Sequence, residues 1–521
     1  MAQKLPIGIQ DFRTIIEDGF HYVDKSSYLY DLCQGGKYFF LARPRRFGKS
    51  LTITTLQELF RGSRELFKGL WIEDKWDWER KHPVIRISFK DINFEQRGLE
   101  EPLAERLLEI AANNQVSLRQ TIARDRFREL ILAMSTEHKV VVLVDEYDAP
   151  IVHYLGKQIQ TAYENRELLK GFYSVLKEMD ARLELVFLTG VSKFSKVGIF
   201  SGLNNLQDIT MHPRFATMLG YTQTELENNF DEELTTTAAQ LKLEKPELVK
   251  QLRHWYNGYR FEENAETVYN PVSVNTFFSF QKFENFWFAT GTPTFLINIL
   301  KQEGLYNFNL QPLTQLEFDS FELDDLRPYG LLYQTGYLTI KSKNEFGLYE
   351  LDYPNHEVKN AMLAYLLEAF GGVRKGTGLA MAVQLEQAFF AADLENVIRI
   401  LQTMFKGLPY QLYEKAPERF YHAAIHLLFS YMGLRVHSEV TTSDGRADCV
   451  VETDTRIYVL EFKLDESARA ALEQIRQKKY YQAWWHKGKP VTGLGVNFSS
   501  QTRNIEEWET GEMGAGIGQP R

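Results

Sequence analysis

Short apolar runs alternate along the first half of the chain with stretches whose apolar residues recur at helical spacing. Tyr38-Phe39-Phe40-Leu41-Ala42 reads as a buried strand, and the segment 51–60, LTITTLQELF, reads as a helix after a short loop. Pro83-Val84-Ile85-Arg86-Ile87-Ser88-Phe89 alternates in β-branched residues and predicts a second strand. Helices are expected over about 99–113 and 117–136. Val140-Val141-Val142-Leu143-Val144 is uninterrupted, as a strand covered on both faces requires. A helix near 165–180 and a strand through Glu184–Ser192 complete the pattern. Strands alternating with helices predict an α/β unit with a parallel sheet.

The middle of the chain is denser in helix. Three short amphipathic segments span 222–256, an aromatic turn follows at 254–261, and Tyr269-Asn270-Pro271 opens another helix. Glycine and proline punctuate 286–293, and a helix, the run Tyr329–Ile340 and a hairpin through Leu348–Leu351 then suggest a winged-helix-like module. That module lacks a basic recognition helix, which favours packing over DNA reading. Further helices are expected at 379–414, an amphipathic one at 417–432, strands at 436–440, 445–451 and 457–463, and a helix at 466–485. A chain of 521 residues is too long for one core. The expected organisation is a core at 1–215, a helical lid at 216–290, a winged-helix-like region at 291–375 and a helical connector at 376–415. A small α/β domain at 416–500 and a flexible tail at 501–521 follow.

Chemistry attaches to this frame at two places. The loop between the first strand and its helix is Arg43-Pro44-Arg45-Arg46-Phe47-Gly48-Lys49-Ser50, followed by Leu51. Strand, loop ending Gly-Lys-Ser and helix form a phosphate-binding device, in which helix N-terminal amides face the anion, Lys49 reaches the β/γ-phosphates and Ser50 ligates Mg²⁺. The usual first glycine is replaced by Arg43, so Arg43, Arg45 and Arg46 are expected to add donors near the nucleotide. Asp145 ends the apolar strand, where α/β sheets bind ligands; it is the expected acid holding Mg²⁺ through water, with Glu146 polarising the attacking water. Thr189 or Ser192, at the end of the next strand, suits a γ-phosphate sensor.

The second place lies near the C-terminus. Residues two apart in a strand share a face, so Glu461 and Lys463 point the same way, and Asp448 begins the neighbouring strand. Two carboxylates and a lysine at a sheet edge can hold Mg²⁺ or Mn²⁺ and direct a water at a phosphodiester. Beyond them, Gln474, Arg476, Lys478 and Lys479 are candidate nucleic-acid contacts. Between 463 and 489 seven Lys/Arg face three acids, a local surplus of positive charge.

Net charge is −9, which argues against a chain coated in nucleic acid but leaves room for a local basic groove. Two cysteines, Cys33 and Cys449, are too few for a disulfide framework, and no apolar run is long enough for a membrane span. A cytoplasmic location without membrane contact is expected.

Several of these stretches resemble a known family. Tyr22-Val23-Asp24-Lys25-Ser26, Arg43–Ser50, Val144-Asp145-Glu146-Tyr147-Asp148, Thr189-Gly190-Val191-Ser192-Lys193-Phe194 and Trp255-Tyr256-Asn257-Gly258-Tyr259 resemble the AAA-ATPase-like family found mainly in bacteria. Gly445-Arg446-Ala447-Asp448, Glu461-Phe462-Lys463 and Gln474-Ile475 are similar to the PD-(D/E)XK nuclease domain which that family often carries. The resemblance implies an additional-strand P-loop fold, Mg²⁺-dependent ATP binding and nuclease chemistry. It also makes Arg43 ordinary, since the family itself has Arg-Pro-Arg-Arg-Phe-Gly-Lys-Ser. Ala447 stands where the nuclease name has proline. The acid expected on the first nuclease helix is Glu418 or Glu439. The expected activity is ATP hydrolysis coupled to cleavage of nucleic acid, DNA before RNA, with self-assembly left open. The alternative is a nucleotide-dependent switch or scaffold whose nuclease-like domain binds without cutting.

Overall fold

The computed structural model describes residues 4–194, 199–200, 202–287, 296–297, 299–300, 312–319, 323, 327–371, 377–406, 425, 427–428, 435–442 and 445–513. The chain divides into two compact units, Met1–Leu296 with Leu310–Lys359 and Ile297–Asn309 with Asn360–Arg521.

Five strands form the sheet of the first unit: β1 (Tyr38–Ala42), β2 (Val84–Ser88), β3 (Val140–Asp145), β4 (Leu183–Gly190) and β5 (Gln207–Asp208). They are all parallel and lie in the order β2-β3-β4-β1-β5. Every residue of β1 and β3 is buried, which is why their sequences are unbroken apolar runs. β4 is inserted between the strand of the phosphate loop and the strand of the acids, giving the additional-strand arrangement expected. Its register, Leu41 with Thr189 and Val144 with Leu188, aligns the ends of all three strands along one edge. The helices Lys49–Arg61, Glu100–Asn113, Ala123–Met134 and Ile159–Glu178 belong to the same unit. Two boundaries differ from expectation: no helix covers 117–121, and the last helix begins at Ile159 rather than near 165.

Helices Gln223–Asn229, Asp231–Leu241, Lys245–Tyr256 and Pro271–Phe280 enclose a separate apolar cluster that includes Leu226, Phe230, Leu234, Leu252 and Phe277. The run Tyr329–Ile340 is split. Helix Pro328–Thr335 stops at Gly336, whose φ of 89° only glycine adopts readily, and β6 (Thr339–Lys343) then pairs with β7 (Tyr349–Asp352).

The second unit holds helices Thr377–Phe390 and Leu394–Lys406 and a sheet of β8 (Arg435–Thr442), β9 (Gly445–Glu452), β10 (Ile457–Leu464), β11 (Val491–Ser499) and β12 (Asn504–Glu512), in the order β12-β11-β10-β9-β8. Only β10 and β11 are parallel. Helix Ala468–Lys478 covers this sheet through Leu472 and Ile475, which share a core with Val450, Ile457, Val459 and Val491. A Cβ on Gly495 would lie 2.3 Å from the Ala468 carbonyl, so β11 needs glycine there for the helix backbone to come so near. The helix expected over 466–485 ends early, with Lys479 in the left-handed region and a 3₁₀ segment Tyr480–Lys487 beyond it. The segment expected to be a flexible tail instead supplies β12, antiparallel to β11. Its run of glutamates hides a strand because it forms a sheet edge, where charge on the open face is tolerated and discourages further pairing. Of the helix expected at 417–432, Glu418 lies outside the described residues, and only Ile425, Leu427 and Leu428 are described, all buried. Among the described residues no helix is long and apolar enough to cross a membrane.

Candidate functional site

Two sites emerge, one in each unit. In the first, the loop after β1 turns sharply through Arg46 (φ 69°) and Gly48 (φ 97°), and Gly48 opens the helix Lys49–Arg61. Lys49 is buried, and its Nζ donates to the carbonyls of Arg43 and Pro44 at 2.9 Å each. Burial holds its pKa below the usual lysine value against the pull of Asp145, Glu146 and Asp148. A lysine stretched across its own loop, with carboxylates facing it, is poised to exchange carbonyl partners for phosphate oxygens. A cavity of about 430 Å³, within the range of small-molecule sites, is lined by Arg45, Arg46, Gly48, Lys49, Ser50 and Leu51, among others.

The acids stand as the strand pattern places them. Asp145 is buried at the end of β3 and accepts from the Glu146 amide at 3.0 Å. Glu146 lines the cavity with a left-handed backbone (φ 50°), and burial, reinforced by Asp145, pushes its carboxyl up. Non-glycine residues in this region store on the order of 1 kcal/mol and gather at functional sites.

Three expected ligands are placed elsewhere. The Arg43 guanidinium does not line the cavity: it is buried, donates to the carbonyls of Ala42 (2.9 Å), Thr210 (2.6 Å) and Phe215 (3.3 Å), and lies 4.1 Å from the Phe261 ring centroid. Backbone carbonyls at hand and an aromatic face hold the guanidinium there. Phe47 is likewise buried, edge-on to Tyr259 and Phe261. It anchors the loop in the aromatic turn that follows residue 254. Thr189 spends its hydroxyl on the Leu41 carbonyl at 2.8 Å, inside the sheet. Ser192, the other sensor candidate, does line the cavity.

Two residues near the site carry structural weight that the sequence reading left unassigned. Asp148 is buried and accepts from the amides of Val191 (3.2 Å) and Ser192 (2.7 Å), tying the segment after β3 to the segment after β4. A Cβ on Gly190 would fall 2.4 Å from Asp148 Oδ1, so this clamp explains the glycine in Thr189-Gly190-Val191-Ser192. Lys90 follows β2 and lines the same cavity; its position at the carboxyl end of a strand adjoining β3 is the signal that could have found it.

In the second unit, β9 and β10 pair with Cys449 opposite Leu460, which sets Asp448 against Glu461. Asp448 Oδ2 accepts from the Phe462 amide at 2.8 Å. Glu461 is buried, and its Oε1 receives the Gln474 amide and lies 3.6 Å from Lys463 Nζ. Its Oε2 is buried without a hydrogen-bond partner among the described residues. Burial, reinforced by Asp448, pushes the Glu461 carboxyl up to about 8. Two hard oxygen donors, one with an oxygen unspent, form a donor set that fits Mg²⁺ or Mn²⁺. Among the described residues no group of three or more His, Cys, Asp or Glu could hold a metal. Glu439 lies on β8, and Glu418 is outside the described residues.

The expected nucleic-acid surface is reduced. Gln474 faces inward onto Glu461 and Tyr480 instead of outward. Arg469 pairs with Glu473, and Lys487 and Lys489 pair with Glu452. Arg476, Lys478 and Lys479 are exposed, but β12 adds the exposed acids Glu506, Glu507, Glu509 and Glu512 to the same small domain. A charge count along the chain from 463 to 489 does not see acids that return from beyond residue 500.

Comparison with known proteins agrees with this architecture. The Predicted AAA-ATPase family model matches residues 6–200, and the PD-(D/E)XK nuclease superfamily model matches residues 416–508. An uncharacterized protein in the vnfD 5'region of Azotobacter chroococcum mcd 1 is 39% identical over 522 residues, covering 96% of this chain and 98% of that protein. No solved structure matches the chain. The chain belongs to the family of predicted AAA-ATPases that carry a PD-(D/E)XK nuclease superfamily domain at the C-terminus.

Proposed function

We propose that this family member binds and hydrolyses ATP in its first unit and cuts nucleic-acid phosphodiesters in its second, DNA before RNA, with nucleotide state governing cleavage. The observation that carries the nuclease reading is the buried, unpartnered Oε2 of Glu461 beside Asp448 and Lys463. An unpartnered carboxylate oxygen is costly to bury unless a ligand completes it.

A divalent ion there would supply a Lewis acid and a water of lowered pKa. Asp448 and Glu461 would hold it, Gln474 fixes the Glu461 rotamer, and Lys463 would position the attacking water or accept its proton. In the first unit Lys49 would neutralise β/γ-phosphate oxygens, Ser50 would hold Mg²⁺ and Asp145 would hold it through water, and Glu146 would polarise the attacking water. Arg45 and Arg46 remain the arginines available to phosphate. The work is assigned to the cytoplasm, and self-assembly is compatible with it.

The test is a cleavage assay on single- and double-stranded DNA and RNA with Mg²⁺ or Mn²⁺, in ATP, in a non-hydrolysable analogue and without nucleotide. Metal-dependent cutting lost in Asp448→Ala, with ATP binding intact, supports the reading; no cutting in any arm overturns it. The acids of β12 favour a second reading, a nucleotide-dependent scaffold whose nuclease-like domain binds without cutting. Its sign is ATP-dependent partner binding or assembly that survives Glu461→Ala.

A further inference from the structure

The cavity at the phosphate loop is also lined by residues that the loop does not account for. Pro6 and Ile9 from the N-terminal strap line it, together with Tyr221, Val272 and Asn275. The strap is fixed to the loop helix through Thr54, whose hydroxyl donates to the Gln10 carbonyl and accepts from the Phe12 amide, both at 3.1 Å. On the other element, Tyr221 and Tyr269 exchange backbone hydrogen bonds of 3.2 and 2.7 Å. Asn270 caps the helix Pro271–Phe280 by accepting from the Val272 and Ser273 amides. These contacts hold apolar surface and one helix face in place beside the loop.

Asn275 is the polar exception. It is 4% exposed, its Nδ2 donates to the Tyr221 hydroxyl at 3.3 Å, and its Oδ1 is buried with no hydrogen-bond partner among the described residues. A buried orphan acceptor at the wall of a ligand cavity asks for a donor from the ligand. The apolar side chains of Pro6, Ile9 and Val272 together with that unspent acceptor suit a planar base that presents an amine. Among purines the exocyclic 6-position decides the matter, because adenine carries a donor there and guanine an acceptor.

We propose that Asn275 selects adenine over guanine, its Oδ1 accepting from the exocyclic amine while Tyr221 keeps the amide turned that way. The inference rests on the nucleotide reading of the first unit. Guanine would set its O6 against Oδ1, leaving two buried acceptors unpaired, and such mismatches are rejected more strongly than a missing methylene.

The experiment is calorimetric binding of the β,γ-imido analogues of ATP, GTP and purine riboside triphosphate, which lacks the exocyclic group, to the full chain with Mg²⁺. The adenine analogue should bind about tenfold tighter than either of the others, the worth of one buried hydrogen bond. Asn275→Ala should bring the adenine analogue down to the purine riboside level and leave purine riboside within about twofold. Asn275→Asp, close to isosteric, keeps acceptors only and should retain the adenine preference; its melting temperature reports on folding. Guanine binding as tightly as adenine overturns the inference, since it means the amide presents Nδ2. So does equal weakening of adenine and purine riboside by Asn275→Ala. Failure of all three analogues to bind wild type instead sinks the nucleotide reading. Loss of all three in Lys49→Ala, with the adenine preference present in wild type, keeps both.

Discussion

The two sites are built in opposite ways. At the phosphate loop, the backbone is shaped by residues far away in the chain. Phe47 packs on Tyr259 and Phe261, Trp287 donates its indole N–H to the Arg45 carbonyl at 3.1 Å, and a Cβ on Gly336 would lie 2.7 Å from Pro44. Arg43 stitches the loop to the carbonyls of Thr210 and Phe215. At the acid–lysine cluster, by contrast, the β9–β10 register places Asp448, Glu461 and Lys463, and Gln474 comes from the next helix, which packs on the same sheet. The first site therefore depends on tertiary packing, and the second on a local supersecondary unit. Damage should spread differently: remote substitutions disturb the first, while only nearby ones disturb the second.

The largest effects come from removing the central group of each. Lys49→Ala should lower ATP affinity or turnover by at least about 10²-fold, because preorganised charge at the transferring phosphate is the main catalytic term. Asp448→Ala should lower cleavage by about 10³-fold with ATP affinity unchanged. The comparison breaks if either variant abolishes the other site's binding step; isothermal titration with nucleotide and gel cleavage assays read the two separately.

Next in size is the pH response of Glu461. Its carboxyl is pushed up to about 8, above the usual carboxylate value, by burial and Asp448. A raised carboxyl pKa means the folded chain holds the proton more tightly. The resulting stability is fully present below about pH 4.5 and lost as pH rises towards about 8. Metal competes with that proton, so Mg²⁺ affinity should fall about tenfold for each pH unit below about 8. Metal titrations from pH 6 to 9 check this, and Glu461→Gln should bind weakly with a flat profile.

How much could be read from the chain follows the same division. Strand–loop–helix order, Asp145 and Glu146 were legible because they depend on apolar runs and on what ends them. Glu461 and Lys463 could be put together because period-two alternation sets them on one face, and Asp448 because it lies on the strand paired with theirs. Arg43, Phe47 and Thr189 were misassigned because the motif fixes their place in sequence, whereas the Phe261 ring and the carbonyls of Thr210 and Leu41 fix their direction. Strand β12 was missed because its acids mark an edge, which looks like a tail without its partner β11. Arg43→Gly tests this lesson. It strips a buried donor from three carbonyls and should destabilise the first unit by about 2–4 kcal/mol without improving ATP affinity. Thermal melts and nucleotide titration measure the two, and tighter ATP binding would restore the reading of Arg43 as a displaced loop glycine.

The smallest effect sharpens what the second site presents to a partner. Lys478 and Lys479 are exposed at the C-terminal end of the helix whose Gln474 supports Glu461, while β12 returns four exposed glutamates to the same domain. If the lysines touch phosphate, each releases about one counterion on binding. Replacing both by alanine in an Asp448→Ala background should then weaken duplex binding about three- to tenfold at low salt and reduce the slope of log affinity against log salt by about 2. Glu461 and its metal response should be untouched, since neither lysine reaches the carboxylates. An unchanged slope would leave the acids of β12 as the dominant charge and favour the scaffold reading, in which the domain meets a protein rather than a nucleic acid. Fluorescence anisotropy between about 50 and 200 mM salt separates the two outcomes, because a surface that reads phosphate must lose affinity with salt and one that reads a protein need not.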